Sequence, residues 1–352
     1  MALSPRALAR LLSGDDREAR AIVARADDLA ALLSDARAQG VGGLVVARLR
    51  ALGVLPASID ERERVRDVEA GLWLDRASLA LARATSALEH AGIRVATLKG
   101  PALAERLYAE APQHRLSIDV DLLVDPSDLA AATAALSELG WRRDGGGWDR
   151  YLEAHHHALH LAHATQPPID LHFRASLGIG APLEAAPLLA RSIVHRTNAG
   201  ALVRVPSPED ELVYLAVHAV AHRMSRLVWI VDAARLVERV AVDFELARAR
   251  AREARVEGAL LLLAEAMRST FAIAVPLASR ALGQRTRLSL ASMLTGAIVP
   301  SPGALDSALT FAVGALACDR RRDALAFASG KIARFALRVG HFRAKRPRDQ
   351  GA

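Results

Sequence analysis

The sequence predicts an α+β fold, a small mixed β-sheet flanked by N-terminal and C-terminal helical regions. Three observations carry that expectation. Apolar residues recur at helical spacing up to about residue 92 and again beyond residue 176. Between those stretches the period drops to two in short β-branched and apolar runs. Alanine and arginine dominate a chain that is 52% hydrophobic but only 4% aromatic, a mixture that favours helices.

Taken in order, helices are expected over Pro5–Leu12, Arg17–Ala38 and Gly42–Leu52, separated by Gly14, Gly40 and Gly53. A longer one is expected from Ile59 to His90. Ile93–Leu98 then reads as a strand that ends in Lys99-Gly100, and Pro101 opens a helix to about Glu110 at the position where proline is favoured. Ile118–Val124 reads as a strand and Ser127–Leu139 as a helix between Pro126 and Gly140. His157–His163 and Ile169–Phe173 read as two strands joined by the turn Thr165-Gln166-Pro167-Pro168. Helices follow over Glu209–Arg223, Leu227–Val240, Glu245–Phe271, a weaker region near Leu277–Leu294, and Leu305–Leu316. The expected units are an N-terminal helical region (1–92), an α/β core (93–175), a C-terminal helical domain (176–330) and a basic tail (331–352).

The formal net charge is +7. Such a balance suits a polyanionic partner such as a nucleotide, a nucleic acid or an acidic membrane surface, and equally an ordinary basic surface, since the charge is spread along the chain. The single cysteine, Cys318, excludes an internal disulfide and points to a reducing compartment. Met1–Asp16 lacks the apolar core of a signal peptide. Glu265, Arg268 and Asp306 interrupt the most apolar stretches before they reach the roughly 20 residues a membrane span needs. The expectation is a cytoplasmic protein without stable membrane insertion.

Two acids stand out in Ile118-Asp119-Val120-Asp121-Leu122-Leu123-Val124. In a strand, Ile118, Val120 and Leu122 share one face and Asp119 and Asp121 the other. Two carboxylates so placed repel each other, and a divalent cation resolves the conflict because hard cations take carboxylate oxygens. Ile169-Asp170-Leu171-His172-Phe173 alternates in the same way, with Asp170 and His172 on one face. If the two strands are neighbours, three aspartates converge. Three carboxylates suit a pair of metal ions about 3.5–4 Å apart, the arrangement that clamps the attacking and leaving oxygens of a phosphoryl displacement. A phosphate site is expected at Leu98-Lys99-Gly100-Pro101, where a strand runs into a helix start and Gly100 admits close approach to the backbone. Arg115, four residues ahead of Asp119, is expected to reach phosphate oxygens.

Leu98-Lys99-Gly100, then Tyr108, then Arg115 ahead of Asp119-Val120-Asp121-Leu122-Leu123-Val124, then Asp170-Leu171-His172, resemble the uncharacterised nucleotidyltransferase family of bacteria, in the DNA polymerase β-like superfamily. Ala216-Val217-His218, His222 and Leu227-Val228-Trp229-Ile230-Val231-Asp232 extend the resemblance, which runs from about Ala7 to Leu316. It implies a small mixed sheet in which Asp119 and Asp121 bind Mg²⁺ or Mn²⁺ and Asp170 completes the metal site and activates an acceptor hydroxyl. Lys99, Gly100, Arg115 and His172 would then contact the nucleotide. The chain departs from the superfamily at Pro101, where Gly-Ser or Gly-Gly is usual; proline brings neither an N–H nor a hydroxyl.

Lys99 is one of only three lysines beside 43 arginines, with Lys331 and Lys345. A compact ammonium differs from a planar guanidinium in size and geometry, so the exception marks Lys99. Alternation puts it on the face of Val95 and Thr97, opposite Ala96 and Leu98.

His155, His156, His157, His160 and His163 match no structural zinc spacing and lack a neighbouring cysteine. They read as a solvated or site-rim strand, with His155, His157 and His163 on one face and His156 and His160 on the other. His218 and His222 share a helix face and could join Asp232 at a metal, but packing of a helical domain on the catalytic unit is the preferred reading. The tail, with Lys331, Arg334, Arg338, Arg343, Lys345, Arg346 and Arg348, suits RNA or an anionic membrane, or a solvated terminus.

The leading expectation is transfer of a nucleoside monophosphate from an NTP to a hydroxyl of a small molecule, a peptide or protein, or a tRNA, releasing pyrophosphate. The alternatives are a catalytically degenerate fold acting as a binding or regulatory partner, and a basic RNA-binding module.

Overall fold

A computed structural model describes residues 5–26, 28–143, 156–176, 182–273, 275–277, 318–319 and 322. The N-terminal helices are α1 (Pro5–Ser13), α2 (Asp16–Ala24), α3 (Leu29–Ala38), α4 (Gly42–Ala51) and the long α5 (Ala57–His90). The helix expected over Arg17–Ala38 is two helices, because Asp28 accepts from the Ala30 N–H at 2.8 Å and starts α3 afresh.

The central unit follows with β1 (Val95–Thr97), α6 (Gly100–Leu107), β2 (Val120–Val124), α7 (Leu129–Glu138), β3 (Arg142–Arg143), β4 (Ala158–Ala162) and β5 (Ile169–His172). These strands form one sheet in the order β1-β2-β5-β4-β3. β2 and β5 run parallel, and the other neighbours are antiparallel. The result is the small mixed sheet of an α+β fold.

The sheet has two faces of opposite character. Val120, Leu122 and Val124 of β2, Leu159 and Leu161 of β4, and Ile169 and Leu171 of β5 are buried together with Ala77, Leu81, Ala84 and Leu88 of α5 and with Leu136 and Trp141. The α5 positions fall at helical spacing, so the second half of that helix lies along the sheet. The opposite face carries Asp121 and Leu123 of β2 and Asp170 and His172 of β5. Leu123, with Ala96 and Leu98, joins a second core made by helices.

Beyond the sheet the chain is not simply helical, as the sequence led us to expect. Two short ribbons intervene: β6 (Arg174–Ser176) with β7 (Leu183–Glu184), and, after α8 (Ala185–Arg191), β8 (Ile193–Arg196) with β9 (Leu202–Val205). Val203 and Val205 of β9 are buried in the sheet-side core, which gives that ribbon its reason to exist. The remaining helices are α9 (Pro208–Ala221), α10 (Leu227–Arg239), α11 (Phe244–Glu253) and α12 (Glu257–Phe271). The single helix expected over Glu245–Phe271 breaks where Arg255 turns left-handed, at φ 59°.

The helical core joins the two ends of the described chain. Leu8 and Leu11 of α1, Leu33 of α3 and Val45 and Leu49 of α4 are buried with Leu212, Ala216 and Ala219 of α9 and with Leu260, Leu263 and Met267 of α12. No helix among the described residues is long and apolar enough to cross a membrane. The helices expected near 277–294 and 305–316 and the basic tail of 331–352 lie outside the described residues, apart from Leu277, which is buried.

Candidate active site

Parallel pairing of β2 with β5 sets Asp121 directly opposite Asp170 and Leu123 opposite His172. Side chains at paired positions share a face, so Asp121, Asp170 and His172 rise from the sheet together. One ligand atom from each lies within 4.8 Å of the others. His172 Nε2 is 3.0 Å from Asp121 Oδ1. The Lys99 ammonium, delivered by the end of β1, sits 3.3 Å from the same oxygen.

Burial makes this cluster electrostatically tight. The Asp121 side chain is only 3% exposed, that of His172 5% and that of Lys99 15%. Burial alone would raise the Asp121 carboxyl, but the Lys99 ammonium and the His172 hydrogen bond outweigh it and hold the group well below the usual carboxylate range. Burial likewise opposes charge on Lys99, and the Asp121 carboxylate overrides it and holds the ammonium above its ordinary value. Asp119 moves the other way. Its burial, and then the Asp121 carboxylate beside it with Asp170 behind, raise its carboxyl. Asp121 and Asp170 therefore stand side by side across the paired strands, with Asp119 within the electrostatic reach of both.

Asp119 differs from its partners in placement. β2 begins at Val120, and Ile118, expected on the face of Val120 and Leu122, is 77% exposed. Asp119 precedes the strand, and the Ser117 hydroxyl donates to its Oδ1 at 3.1 Å. His172, read from the sequence as a nucleotide contact, takes the third place in the trio instead of Asp119. Two of the trio's buried polar atoms, Asp121 Oδ2 and His172 Nδ1, have no hydrogen-bond partner. Such orphans on one carboxylate and one imidazole, with the Asp170 carboxylate alongside, fit a divalent cation.

Gly100 opens α6 with φ at 68°, a left-handed conformation that glycine enters without strain. Its Cα faces the Asp119 carbonyl, since an added Cβ would lie 3.5 Å from that oxygen. The glycine thus folds the Lys99 turn against the start of β2 and brings ammonium and acids together. Pro101 follows as the first-turn proline of α6.

Arg115 has a different partner from the phosphate expected for it. Its Nε lies 2.8 Å from Asp232 Oδ1, its Nη2 lies 2.7 Å from Asp232 Oδ2, and its Nη1 donates to the Leu116 carbonyl at 2.9 Å. Tyr108 also donates to Asp232 Oδ1, at 2.6 Å, and the Arg235 guanidinium lies 4.2 Å from the centroid of the Tyr108 ring. This buried knot fastens the sheet unit to α10. Asp232 is thereby committed to packing, the reading preferred for it from the sequence. Arg106 and Glu211 add a second tie, with paired contacts of 3.0 and 2.8 Å to α9.

The histidine run divides by role. His163 faces a turn, where its Nδ1 accepts from the Thr165 and Gln166 N–H groups. His160 pairs across to Asp170, with Nδ1 2.8 Å from its Oδ1. His157 lies in the bend before β4, so strict alternation does not apply to it. Its ring comes within 5.2 Å of His172, and burial, followed by that neighbouring ring, pushes its imidazole down to about 3. His160 therefore borders Asp170 and His157 borders His172, although alternation had set the two on opposite faces. His155 lies outside the described residues.

Sequence reasoning gave no site role to Tyr214, or to Trp229 beyond its place in the Leu227–Asp232 run. Tyr214 of α9 is buried, and its hydroxyl is held above its ordinary value first by burial, with the Lys99 ammonium opposing. The available signal was its place four residues before His218, on the same helix face.

No curated protein matches this chain. Residues 25–272, which hold the Lys99 turn, all three acids and the α9–α10 helices, match the family model described as uncharacterised nucleotidyltransferase. The chain belongs to that family.

Proposed function

We propose that this protein is a metal-dependent nucleotidyltransferase that moves a nucleoside monophosphate from an NTP to an acceptor hydroxyl. The observation that carries the reading is the trio Asp121, Asp170 and His172, with ligand atoms within 4.8 Å, beside the Lys99 ammonium. Family membership supplies the reaction class.

Asp121, Asp170 and His172 would hold the divalent ion, Mg²⁺ or Mn²⁺, with Asp119 at the entry to the strand. When bound, such an ion supplies Lewis-acid neutralisation of phosphate charge. Lys99 provides a compact, permanently charged donor for the same phosphates. Asp170 is 30% exposed where Asp121 is 3%, so it is the carboxylate of the pair that an acceptor can reach. His160 steadies one of its oxygens. In the transfer, the acceptor oxygen bonds to the α-phosphorus and its proton passes to Asp170. The bond from the α-phosphorus to the bridging oxygen breaks, and pyrophosphate departs.

The test is incubation of the full chain with each α-labelled NTP, Mg²⁺ or Mn²⁺, and pools of tRNA, peptide and small-molecule acceptors. Label should transfer to one pool with release of pyrophosphate. Asp170→Asn should suppress turnover more than nucleotide binding. An absence of transfer and of pyrophosphate release with every NTP and both metals would refute the assignment.

A further inference from the structure

Four rings form a row that begins beside the acids and ends in solvent. Tyr214 and His218 lie four apart on one face of α9, and His222, four further on, caps the helix C-terminus. Their neighbouring centroids are 6.0 Å apart for Tyr214 and His218 and 4.7 Å for His218 and His222. Trp229, from α10, closes on both histidines, edge-on to His218 at 5.4 Å and tilted to His222 at 5.1 Å. These separations are those of rings in stacking and edge contact.

Exposure rises along the row. Tyr214 is buried, His218 and Trp229 are half-buried, and His222 is exposed. The row is rooted in the helical core, where Tyr214 is buried and against which Trp229 packs, and it runs from there along the charged site. Burial, then the Lys99 ammonium, depresses His218 well below its ordinary value, and Asp121 is also among its electrostatic neighbours. His222 acts on His157 in turn. The row therefore overlooks Lys99, Asp121 and the His157–His172 pair.

The turn that positions Trp229 is itself unusual. Arg223 and Met224 are consecutive non-glycine residues with φ of 59° and 48°. Residues that carry a Cβ enter this left-handed region only under strain. The N–H groups of both return to α9, at Val220 and Ala219, and Met224 is buried. That strained reversal brings the start of α10 back over the last turn of α9 and sets the indole against the two imidazoles.

We propose that His218, His222 and Trp229 form the stacking platform for the nucleobase of the NTP. The proposal rests on the nucleotidyl-transfer reading above, and it names the part of the substrate that this side of the site recognises. With the triphosphate at Lys99 and the acids, the base lies along the open end of the row. Imidazole and indole faces stack on any planar base, so the platform secures the base without reading its hydrogen-bonding edge.

The test compares two ligands by calorimetry on the full chain with Mn²⁺: ATP, and inorganic tripolyphosphate, which has no base. His222→Ala removes an exposed ring and leaves both cores intact; Trp229→Ala and Trp229→Phe form the second arm. Loss of one stacking partner should weaken ATP binding about tenfold, with tripolyphosphate affinity unchanged and Trp229→Phe recovering most of the loss. Unchanged ATP affinity in His222→Ala and Trp229→Ala would overturn the platform and leave the transfer reading standing. Equal weakening of both ligands would also overturn it, since the damage would then lie at the phosphate site. A wild-type chain that binds neither ligand would sink the transfer reading, and the platform with it.

Discussion

Removing Asp232 gives the sharpest physical test of how the sheet unit is attached to the C-terminal helices. The residue is fully buried and accepts from Tyr108 and from two nitrogens of Arg115. Asp232→Ala would leave a buried guanidinium without its counter-charge, a change that costs about 3–5 kcal/mol. The unpaired Tyr108 hydroxyl adds on the order of 1 kcal/mol. The expected loss, about 4–6 kcal/mol, is a large share of the roughly 5–15 kcal/mol that holds a typical domain. The pair is also expected to be strongly coupled. Arg115→Met alone leaves the carboxylate stranded, whereas Arg115→Met with Asp232→Ala removes both charges and should be far less damaging than the sum of the single changes. Chemical denaturation of the four proteins measures the cycle. If Asp232→Ala stays within about 1 kcal/mol of wild type, or if the two changes add, the knot is not what fastens the units. Arg115 would then be available for phosphate, as its place ahead of Asp119 first implied.

Three further outcomes follow from the site geometry. Asp121→Asn should abolish Mn²⁺ binding measured by electron paramagnetic resonance, while Asp119→Asn, outside the trio, should only weaken it; equal loss in both would restore Asp119 to the primary ligand set. Lys99→Ala should weaken NTP binding yet strengthen metal binding without nucleotide, because the ammonium no longer neutralises Asp121. Lys99→Arg should restore only part of the NTP affinity, since a planar fork does not fit the place of a compact charge, and unchanged affinity for both ligands in Lys99→Ala would make the lysine incidental. Gly100→Ala should cost about 1–2 kcal/mol in thermal or chemical denaturation, from left-handed backbone rather than collision, because the new methyl meets the Asp119 carbonyl at an ordinary 3.5 Å; a much larger loss would show that close packing decides.

The acids were legible in the sequence because strand alternation is a local property. Val120 and Leu122 turn inward and Asp121 outward whichever strand lies beside β2, and the hairpin of β4 and β5 is announced by its proline turn. What alternation does not encode is where a strand begins. Ile118 and Asp119 precede β2, so the acid pair is not two equivalent rungs. The fate of Arg115 was hidden for another reason. Its partner lies 117 residues away, and no spacing rule relates a loop arginine to a helix aspartate that far along the chain. The β6–β7 and β8–β9 ribbons escaped because strands of two to four residues carry too few positions for a period to show. The break at Arg255 escaped because arginine rarely turns left-handed.

The helical core makes the first and last helices of the described chain interdependent, and that has a consequence for synthesis. α1, α3 and α4 leave the ribosome first, but the faces that cover Leu8, Leu11, Val45 and Leu49 belong to α9 and α12. Between Leu49 and Leu212 the ribosome must add more than 160 residues. At about 5–20 residues per second, the early helices spend roughly 10–30 s with their apolar faces unpaired. The sheet unit does not wait in this way, because α5, β1, β2, α7, β4 and β5 supply most of its own core. Folding should therefore start in the middle of the chain and close at its ends. A nascent chain stalled before α9 would carry a formed acid face above a naked bundle of helices, a natural client for a chaperone.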